Sequence, residues 1–364
     1  MKEYNWRKER EKYRVVPAEQ ENQQPTNPIP EKKQPTLHRV LSATLTIATL
    51  VAIIAWVVVH YGIGKDSSTR LATAAEKNKE AVGLVVLKFD FKDGGKATIP
   101  LGTAWAFSKT QFATNAHIID AIKSVYKNNI RTAGIQLLTQ EALQGNHTTL
   151  QEYLKKQPKE KAEELINNAE KRIIASIERV KLNIYINDSN RKKYEVTHFQ
   201  IHRNYGETGI NPDIAVLTID SPHNNYFKIA SQTKLLDLKS GTPIAFLGFP
   251  MENLSNNNIN LNNPVASMQS GIIVAVTDFE LKNSGPENNV LIRHNLPATG
   301  GASGSPIFNT SGEVVALLFG GNIIISNSQK SFKRAPSAAQ INFAVRADLL
   351  SGVGVSSPVE SLFK

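Results

Sequence analysis

The sequence has 364 residues, of which 41% are hydrophobic and 20% charged, a balance typical of a globular protein with a substantial core. The formal net charge is +10, but basic residues alternate with acidic ones, as in Lys159-Glu160-Lys161, so no nucleic-acid-binding stripe is indicated. The chain contains no cysteine, which excludes disulfides, a cysteine nucleophile and thiolate metal sites.

An uncharged apolar segment follows a polar N-terminal tail. Residues 1–39 are charged and include a Pro/Gln-rich stretch, which predicts a disordered tail. Residues 40–59 read VLSATLTIATLVAIIAWVVV, and a helix of that length spans about 30 Å, the thickness of a bilayer's hydrocarbon core. Trp56 and Tyr61 lie toward one end, where aromatic rings favour the membrane interface. The segment therefore predicts a single transmembrane helix over residues 40–61.

Two other interpretations of this apolar segment fit less well. A buried core helix would show an amphipathic face, and none is visible. A cleaved signal peptide would have a shorter charged segment before the apolar run and a small-x-small site close behind it. Lys32, Lys33 and Arg39 flank the N-terminal side, so the positive-inside rule predicts a cytoplasmic N-terminus. We expect a single-pass inner-membrane protein whose remaining chain lies in the periplasm or otherwise outside the cytoplasm.

Short β-rich segments separated by turn signals follow a polar linker, residues 62–81, that could be helical. These segments cover residues 82–91, 98–107, 183–187, 194–201, 213–219, 243–249, 270–276, 289–294, 313–319 and 341–345. Strands of this number and length predict an all-β domain, an antiparallel barrel or sandwich, and not a parallel α/β sheet.

A helical insertion over about residues 134–181 interrupts the strands. Thr149 and Glu152 have the spacing of a capping box, and Pro158 suits the first turn of a second helix. Five apolar residues of that second helix fall on one face at helical spacing. They are Ile166, Ala169, Ile173, Ile177 and Val180. This face either packs on the β domain or docks a partner, such as a second copy of the chain.

Three short motifs contain the residues that could perform chemistry. ATNAHIID places His117 after a predicted strand, NPDIAVLTI places Asp213 at the entry to an apolar strand, and TGGASGSP surrounds Ser303 with glycines. Each motif alone could be structural. Together they supply a nucleophile, the base that activates it and a carboxylate that orients the base, in the chain order His, Asp, Ser. The glycines let the amides of Gly301 and Ser303 converge on an oxyanion.

At these motifs the chain resembles the chymotrypsin-fold serine peptidases. It is most similar to the cysteine-free bacterial branch, which includes the high-temperature-requirement proteases and the glutamyl endopeptidases. TNAHIID, DIAVL and TGGASGSPIFN followed by GEVVALLFGG carry the resemblance, and AFLGFP and INFAV support it. It implies a double antiparallel β-barrel with the catalytic site in the cleft, a peptidase domain over residues 82–352 and a C-terminal tail over 353–364.

The chain departs from these families at several positions. Ala302 stands where they carry Asn or Asp, no activation site of the trypsin kind is present, and we expect no PDZ domain. Ala298 and Leu318 match the positions where glutamyl endopeptidases recognise the substrate carboxylate, and both are apolar. A buried glutamate would lack a partner there, so we expect small or medium apolar P1 residues. Phe319 and Gly320 should bind the substrate backbone as an added strand.

The sequence thus predicts a membrane-anchored serine endopeptidase acting on extracytoplasmic proteins or peptides, without cofactor, metal or nucleic acid. His198 and His202 have no convergent third ligand that would make a metal site. The alternative is a catalytically silent protease-fold module that binds peptides or scaffolds a membrane complex. Ala302 favours that alternative, and retention of all three triad residues opposes it. A homo-oligomer or partner contact through the helical insertion is also possible.

Overall fold

The structure, a computed structural model, describes residues 66–144, 149–207, 211–250, 261, 263–321 and 341–363. The predicted cytoplasmic tail and the predicted transmembrane helix, residues 1–39 and 40–61, lie outside the described residues. Within the described ranges, no helix is both long and apolar enough to cross a bilayer.

The described residues form strands and helices in the following order. The strands are β1 (Val82–Phe91), β2 (Lys96–Ala106), β3 (Gln111–Thr114), β4 (Ile177–Ile186), β5 (Lys193–Ile201), β6 (Ala215–Ile219), β7 (Lys228–Ile229), β8 (Pro243–Gly248), β9 (Ser267–Thr277), β10 (Leu291–His294), β11 (Pro306–Asn309), β12 (Glu313–Gly321), β13 (Asn342–Arg346) and β14 (Ser357–Pro358). The α-helices are α1 (Ser67–Asn78), α2 (Ala116–Gln144), α3 (Leu150–Lys155), α4 (Lys159–Ser176) and α5 (Gln232–Leu236). Short 3₁₀ helices cover Lys79–Ala81, Ala347–Gly352 and Val359–Phe363.

The strands close into two antiparallel barrels of six strands each. In the first barrel the order is β5-β4-β1-β2-β3-β6, and β6 pairs back with β5. In the second the order is β11-β8-β9-β10-β13-β12, and β12 pairs back with β11. Two short strands add to the outside, β14 on β5 and β7 on β12. The predicted all-β, chymotrypsin-like double barrel with a helical insertion is therefore confirmed for this region.

Three apolar clusters hold the barrels together. One fills the first barrel, a second fills the second barrel, and a third contains residues of both, including Trp105 of β2 and Phe308 of β11. Helix α1 contributes Leu71 and Ala74 to this third cluster. Its N-terminus is capped by Asp66, which accepts a hydrogen bond from an amide of the first turn. Much of the predicted linker is therefore packed against the barrels.

The helical insertion is longer at its start than the sequence pattern predicts. Helix α2 already begins at Ala116, because Ile118, Ile119 and Ile122 bury one face of its first turns in the first barrel's core. At the other end, Ile177 and Val180 belong to β4 and pair with β1. Strand pairing thus overrides the helical periodicity that continues through these two residues.

Helices α2 and α4 pack closely on each other. A Cβ at Gly134 of α2 would lie 3.2 Å from the backbone nitrogen of Glu170 in α4. Glu170 also pairs with Arg131, with 3.3 Å between nitrogen and oxygen. The predicted apolar face of α4 is divided: Ala169 is buried, whereas Ile173 lines a gap beside the first barrel.

The last described residues belong to the first barrel's surface. Ser357 and Pro358 pair with β5, and the 3₁₀ helix that follows buries Val359 and Leu362 in the first barrel's core. The segment predicted as a C-terminal tail is therefore ordered by strand pairing and apolar burial.

Candidate active site

His117 is the second residue of α2 and contacts Asp213 twice. Its ring nitrogen Nδ1 lies 2.5 Å from Oδ2 of Asp213, and its backbone N–H donates to Oδ1 at 2.9 Å. Because the carboxylate accepts from Nδ1, the neutral imidazole keeps its lone pair on Nε2. The His117 side chain is 40% exposed and that of Asp213 is 10% exposed. The pair therefore has a buried orienting group and an accessible base.

Asn115 holds the backbone of Asp213 in place. Its side-chain Nδ2 donates to the carbonyl oxygen of Asp213 at 2.7 Å, and the whole residue is buried. Asn115 belongs to the same TNAH motif as His117, but sequence reasoning assigned it no role. Its place two residues before the histidine is the only sequence signal that could have pointed to it.

Tyr205 lies beside the same carboxylate. Burial, together with the negative charges of Asp213 and Asp120, raises the pKa of the Tyr205 phenol above its ordinary value. The phenol therefore stays protonated and neutral at physiological pH. A neutral hydroxyl there adds no negative charge near the Asp213 carboxylate.

Ser303 occupies a sharp turn between β10 and β11. Gly301 and Gly304 on either side adopt φ values of +85° and +86°, which residues with a Cβ rarely adopt. The turn is closed by hydrogen bonds from the amide of Ala302 to Thr299 and from the amide of Ser305 to Ala302, both 3.1 Å. The glycines thus serve the tight turn that the sequence predicts.

The turn around Ser303 rests on the first barrel. The amide of Thr103 in β2 donates to the carbonyl oxygen of Ser303 at 2.9 Å. A Cβ at the neighbouring Gly102 would lie 3.1 Å from that same oxygen and 2.5 Å from Cδ1 of Ile118. Ile118 directly follows His117, so the backbone of Ser303 and the first turn of α2 meet across Gly102.

The amides proposed for the oxyanion hole have no partner in the part of the chain that the structure describes. Neither the N–H of Gly301 nor that of Ser303 donates to a described residue. Ala302 between them is fully buried within the second barrel's apolar cluster. An asparagine or aspartate there would bring a polar side chain into that cluster at a cost in free energy.

The residues predicted to bind substrate lie beside this turn. Leu318 is 1% exposed and belongs to the same apolar cluster as Ala302, with Ala298 packed against that cluster. The backbone of Leu318 is tied to the turn, since its carbonyl accepts from the amide of Gly304 at 2.8 Å. This wall of the site is therefore apolar and firmly attached to the turn around Ser303.

The end of β12 has one edge free among the described residues. The β12–β11 pairing stops at Leu317, whereas β12 continues to pair with β13 up to Gly321. Phe319 forms a bulge in this pairing, and its ring stacks on that of Phe343 at a centroid distance of 6.3 Å. The free edge over Phe319 and Gly320 can accept an extended peptide as an additional strand.

The family comparison agrees with this geometry. A model described as "Trypsin-like peptidase domain" matches residues 102–317, more than half of the chain, and this range contains His117, Asp213 and Ser303. No curated protein matches.

Several solved structures are similar to this chain at low identity. "HtrA-type protease AlgW with decapeptide" is 13% identical with a TM-score of 0.41, and the match covers 80% of this chain and 67% of that one. "HtrA-type protease AlgW with tripeptide" is 13% identical with a TM-score of 0.38, covering 77% and 60%. "Crystal structure of Deg5" is 12% identical with a TM-score of 0.38, covering 79% and 93%. On the match to the family model, the chain belongs to the trypsin-like peptidase domain family.

Proposed function

We propose that this protein is a serine endopeptidase that cleaves peptide bonds of proteins through His117, Asp213 and Ser303. The observation that carries the proposal is the hydrogen-bonded His117–Asp213 pair, 2.5 Å between Nδ1 and Oδ2. The first turn of its helix meets the glycine-flanked backbone of Ser303 across Gly102. A carboxylate that accepts from Nδ1 fixes the tautomer whose Nε2 can take a proton and stabilises the imidazolium that results.

In the acylation step, Nε2 of His117 takes the proton from Oγ of Ser303 as Oγ attacks the scissile carbonyl carbon. The new C–O bond displaces the carbonyl π electrons onto oxygen, and the amides of Gly301 and Ser303 donate hydrogen bonds to that oxyanion. Asp213 stabilises the imidazolium that forms. The imidazolium then gives its proton to the leaving nitrogen as the C–N bond breaks, which leaves an acyl-enzyme.

In the deacylation step, a water molecule replaces the leaving amine. Nε2 of His117 takes one proton from this water as its oxygen attacks the acyl carbon. The second tetrahedral intermediate collapses, the C–Oγ bond breaks, and Oγ of Ser303 recovers the proton. The products are a carboxylic acid and the regenerated serine.

We further propose a preference for small or medium apolar P1 residues. The apolar wall formed with Leu318 and Ala298 offers no partner to a charged P1 side chain. The free edge of β12 at Phe319 and Gly320 would align the substrate backbone next to Ser303.

The direct test of this function is proteolysis of a peptide library by the purified full-length chain. We expect cleavage that disappears in Ser303→Ala and in His117→Ala, with both variants retaining the wild-type unfolding temperature. If the folded wild type and the Ser303→Ala variant give the same cleavage products, or none, the proposal is contradicted. That outcome would favour the alternative, a silent module that binds peptides.

We also propose that residues 40–61 anchor the peptidase domain in the inner membrane, with the N-terminus in the cytoplasm. The uncharged twenty-residue segment before the domain supports this. The test is extraction and protease accessibility in intact and opened cells. The anchor predicts a chain that resists alkaline extraction and a domain digested only from outside the cytoplasm; a freely extracted or cytoplasmic domain contradicts it.

A further inference from the structure

Thr103 of β2 touches the serine turn with both its backbone and its side chain. Its amide donates to the carbonyl oxygen of Ser303 and its hydroxyl donates to the carbonyl oxygen of Gly301, each at 2.9 Å. Thr103 is fully buried and belongs to the first barrel, whereas both acceptors belong to the second. Two consecutive contacts of one residue therefore join the barrels at the turn around Ser303.

The direction of the hydroxyl bond follows from its second partner. The amide of Phe249, just after β8, donates to Oγ1 of Thr103 at 3.1 Å. An amide N–H can only donate, so Oγ1 is the acceptor there, and its single proton is directed to the carbonyl of Gly301. The carbonyl of Thr103 itself accepts from the hydroxyl of Thr114 at 2.7 Å. Every polar atom of Thr103 thus has a hydrogen-bond partner, which fixes the residue in place.

The turn depends on such external support. Gly301 has a φ of +85° and no side chain, so its own conformational preferences fix it weakly. Its neighbour Ala302 has no polar side chain that could add a hydrogen bond to the turn. Gly304 is pressed against Thr103 as well, because a Cβ there would overlap the Thr103 carbonyl oxygen. The Gly301 carbonyl shares its peptide plane with the Ala302 amide, and Thr103 sets the orientation of that plane from the first barrel. The Gly301 amide lies in the preceding plane, on the other side of the Gly301 Cα.

We propose that Thr103 is a positioning residue for the oxyanion hole, holding Gly301 and Ser303 so that their amides point at the developing oxyanion. This inference rests on the proposed peptidase function. It assigns to a threonine of the opposite barrel the support that Ala302 cannot supply within the turn. Removing the hydroxyl leaves two buried groups without a hydrogen bond, the carbonyl of Gly301 and the amide of Phe249. Because an unsatisfied buried group is unfavourable, the Gly301 backbone shifts to find another partner.

The test compares three variants of Thr103 in the full-length chain. Thr103→Val keeps the shape and removes the hydroxyl, and we expect kcat to fall about tenfold or more with KM little changed, since transition-state contacts are lost. The labelling rate with a fluorophosphonate should fall by a similar factor, because its phosphoryl oxygen occupies the same hole. The pH dependence of kcat/KM should stay at its wild-type midpoint, since His117 and Asp213 keep their contacts. Thr103→Ser should restore the rate.

Thr277→Val is the matched control. Thr277 is also a buried threonine whose hydroxyl donates to a backbone carbonyl, that of Asp278 at 3.0 Å. We expect it to label at the wild-type rate. If Thr103→Val does not unfold cooperatively, the labelling rates of Thr103→Ala and Thr103→Ser are compared instead. These two side chains are close in size and differ in the hydroxyl, so slower labelling of Thr103→Ala supports the positioning role.

The outcomes separate this inference from the proposed function. If Thr103→Val or Thr103→Ala is labelled as fast as wild type, the positioning role is overturned, whereas the proposed peptidase function is not. An equal loss in Thr277→Val overturns it too, since the effect would then be general destabilisation. A folded wild type without Ser303-dependent labelling overturns the proposed function and this inference with it.

Discussion

Replacing Asp213 with asparagine tests the hydrogen-bond directions at the site. The backbone N–H of His117 donates to Oδ1 at 2.9 Å and needs an acceptor there. An asparagine must therefore place its oxygen on that side and its NH2 group opposite Nδ1 of His117. The imidazole Nδ1 then becomes an acceptor, and the neutral ring carries its proton on Nε2. The nucleophile Ser303 would face a donor in place of a base.

We expect Asp213→Asn to lower kcat about 10³- to 10⁴-fold near pH 7, the size of effect seen when a triad histidine is held in the wrong tautomer. At 1.36 kcal/mol per tenfold, this is about 4 to 5 kcal/mol of transition-state stabilisation. The fold should be intact, because Asn115 bonds to the backbone carbonyl of residue 213 and not to its carboxylate. The assay is kcat/KM on an apolar-P1 peptide, with unfolding temperature measured in parallel.

Asp120→Asn is the control, since it removes a carboxylate on the same helix that faces Tyr205. It should keep kcat within about threefold of wild type, as expected for a group outside the reacting atoms. Activity of Asp213→Asn within tenfold of wild type would refute the assigned roles of Asp213 and His117.

Three further predictions concern the turn, the specificity and the pH dependence. Gly304→Ala should lower the free energy of unfolding by about 2 kcal/mol or more, because the new Cβ would overlap a β2 carbonyl oxygen. Gly206→Ala, at a similar φ but with no atom close to its Cβ, should lower it less. Urea unfolding of the two variants measures the difference, and equal losses would contradict the close contact at Gly304. In a peptide library, P1 Glu should be cleaved about a hundredfold less well than P1 Ala or Val, since Ala298 and Leu318 offer a charge no partner; efficient cleavage after Glu would contradict this. Burial lowers the pKa of His294 from 6.5 to about 4. The contribution of the neutral imidazole to the free energy of unfolding is therefore complete above pH 6.5, and it falls by about 3 kcal/mol as the pH approaches 4. Measured by urea unfolding, His294→Asn should lose less stability than wild type between pH 6.5 and 4, and an equal loss would contradict this.

The sequence is informative about the site because its key groups lie in local motifs. His117 and Ser303 are recognisable from their immediate neighbours, and Asp213 from the apolar strand it precedes. The contacts that fix them are not local. The bond from Thr103 to Gly301 joins residues 198 positions apart, and no periodicity or composition signals it. The backbone contact of Asn115 with Asp213 is hidden for the same reason.

The fold shows the same division. The β-rich segments predict the barrels, because alternation and turn residues act locally. The sequence pattern does not indicate the short strand β11, since its four residues carry little periodicity. Ile177 and Val180 continue a helical pattern but pair with β1, so the partner strand decides their structure. The ordered C-terminal segment depends on a distant surface, the core beneath Val359 and Leu362.

The most direct test of the central claim is fluorophosphonate labelling of the full-length protein, followed by mass spectrometric mapping of the modified residue. An activated serine in an assembled oxyanion hole predicts one adduct on Ser303, absent in Ser303→Ala and strongly slowed in His117→Ala. A folded protein that forms no adduct, or forms it on another residue at the same rate in Ser303→Ala, would contradict the account.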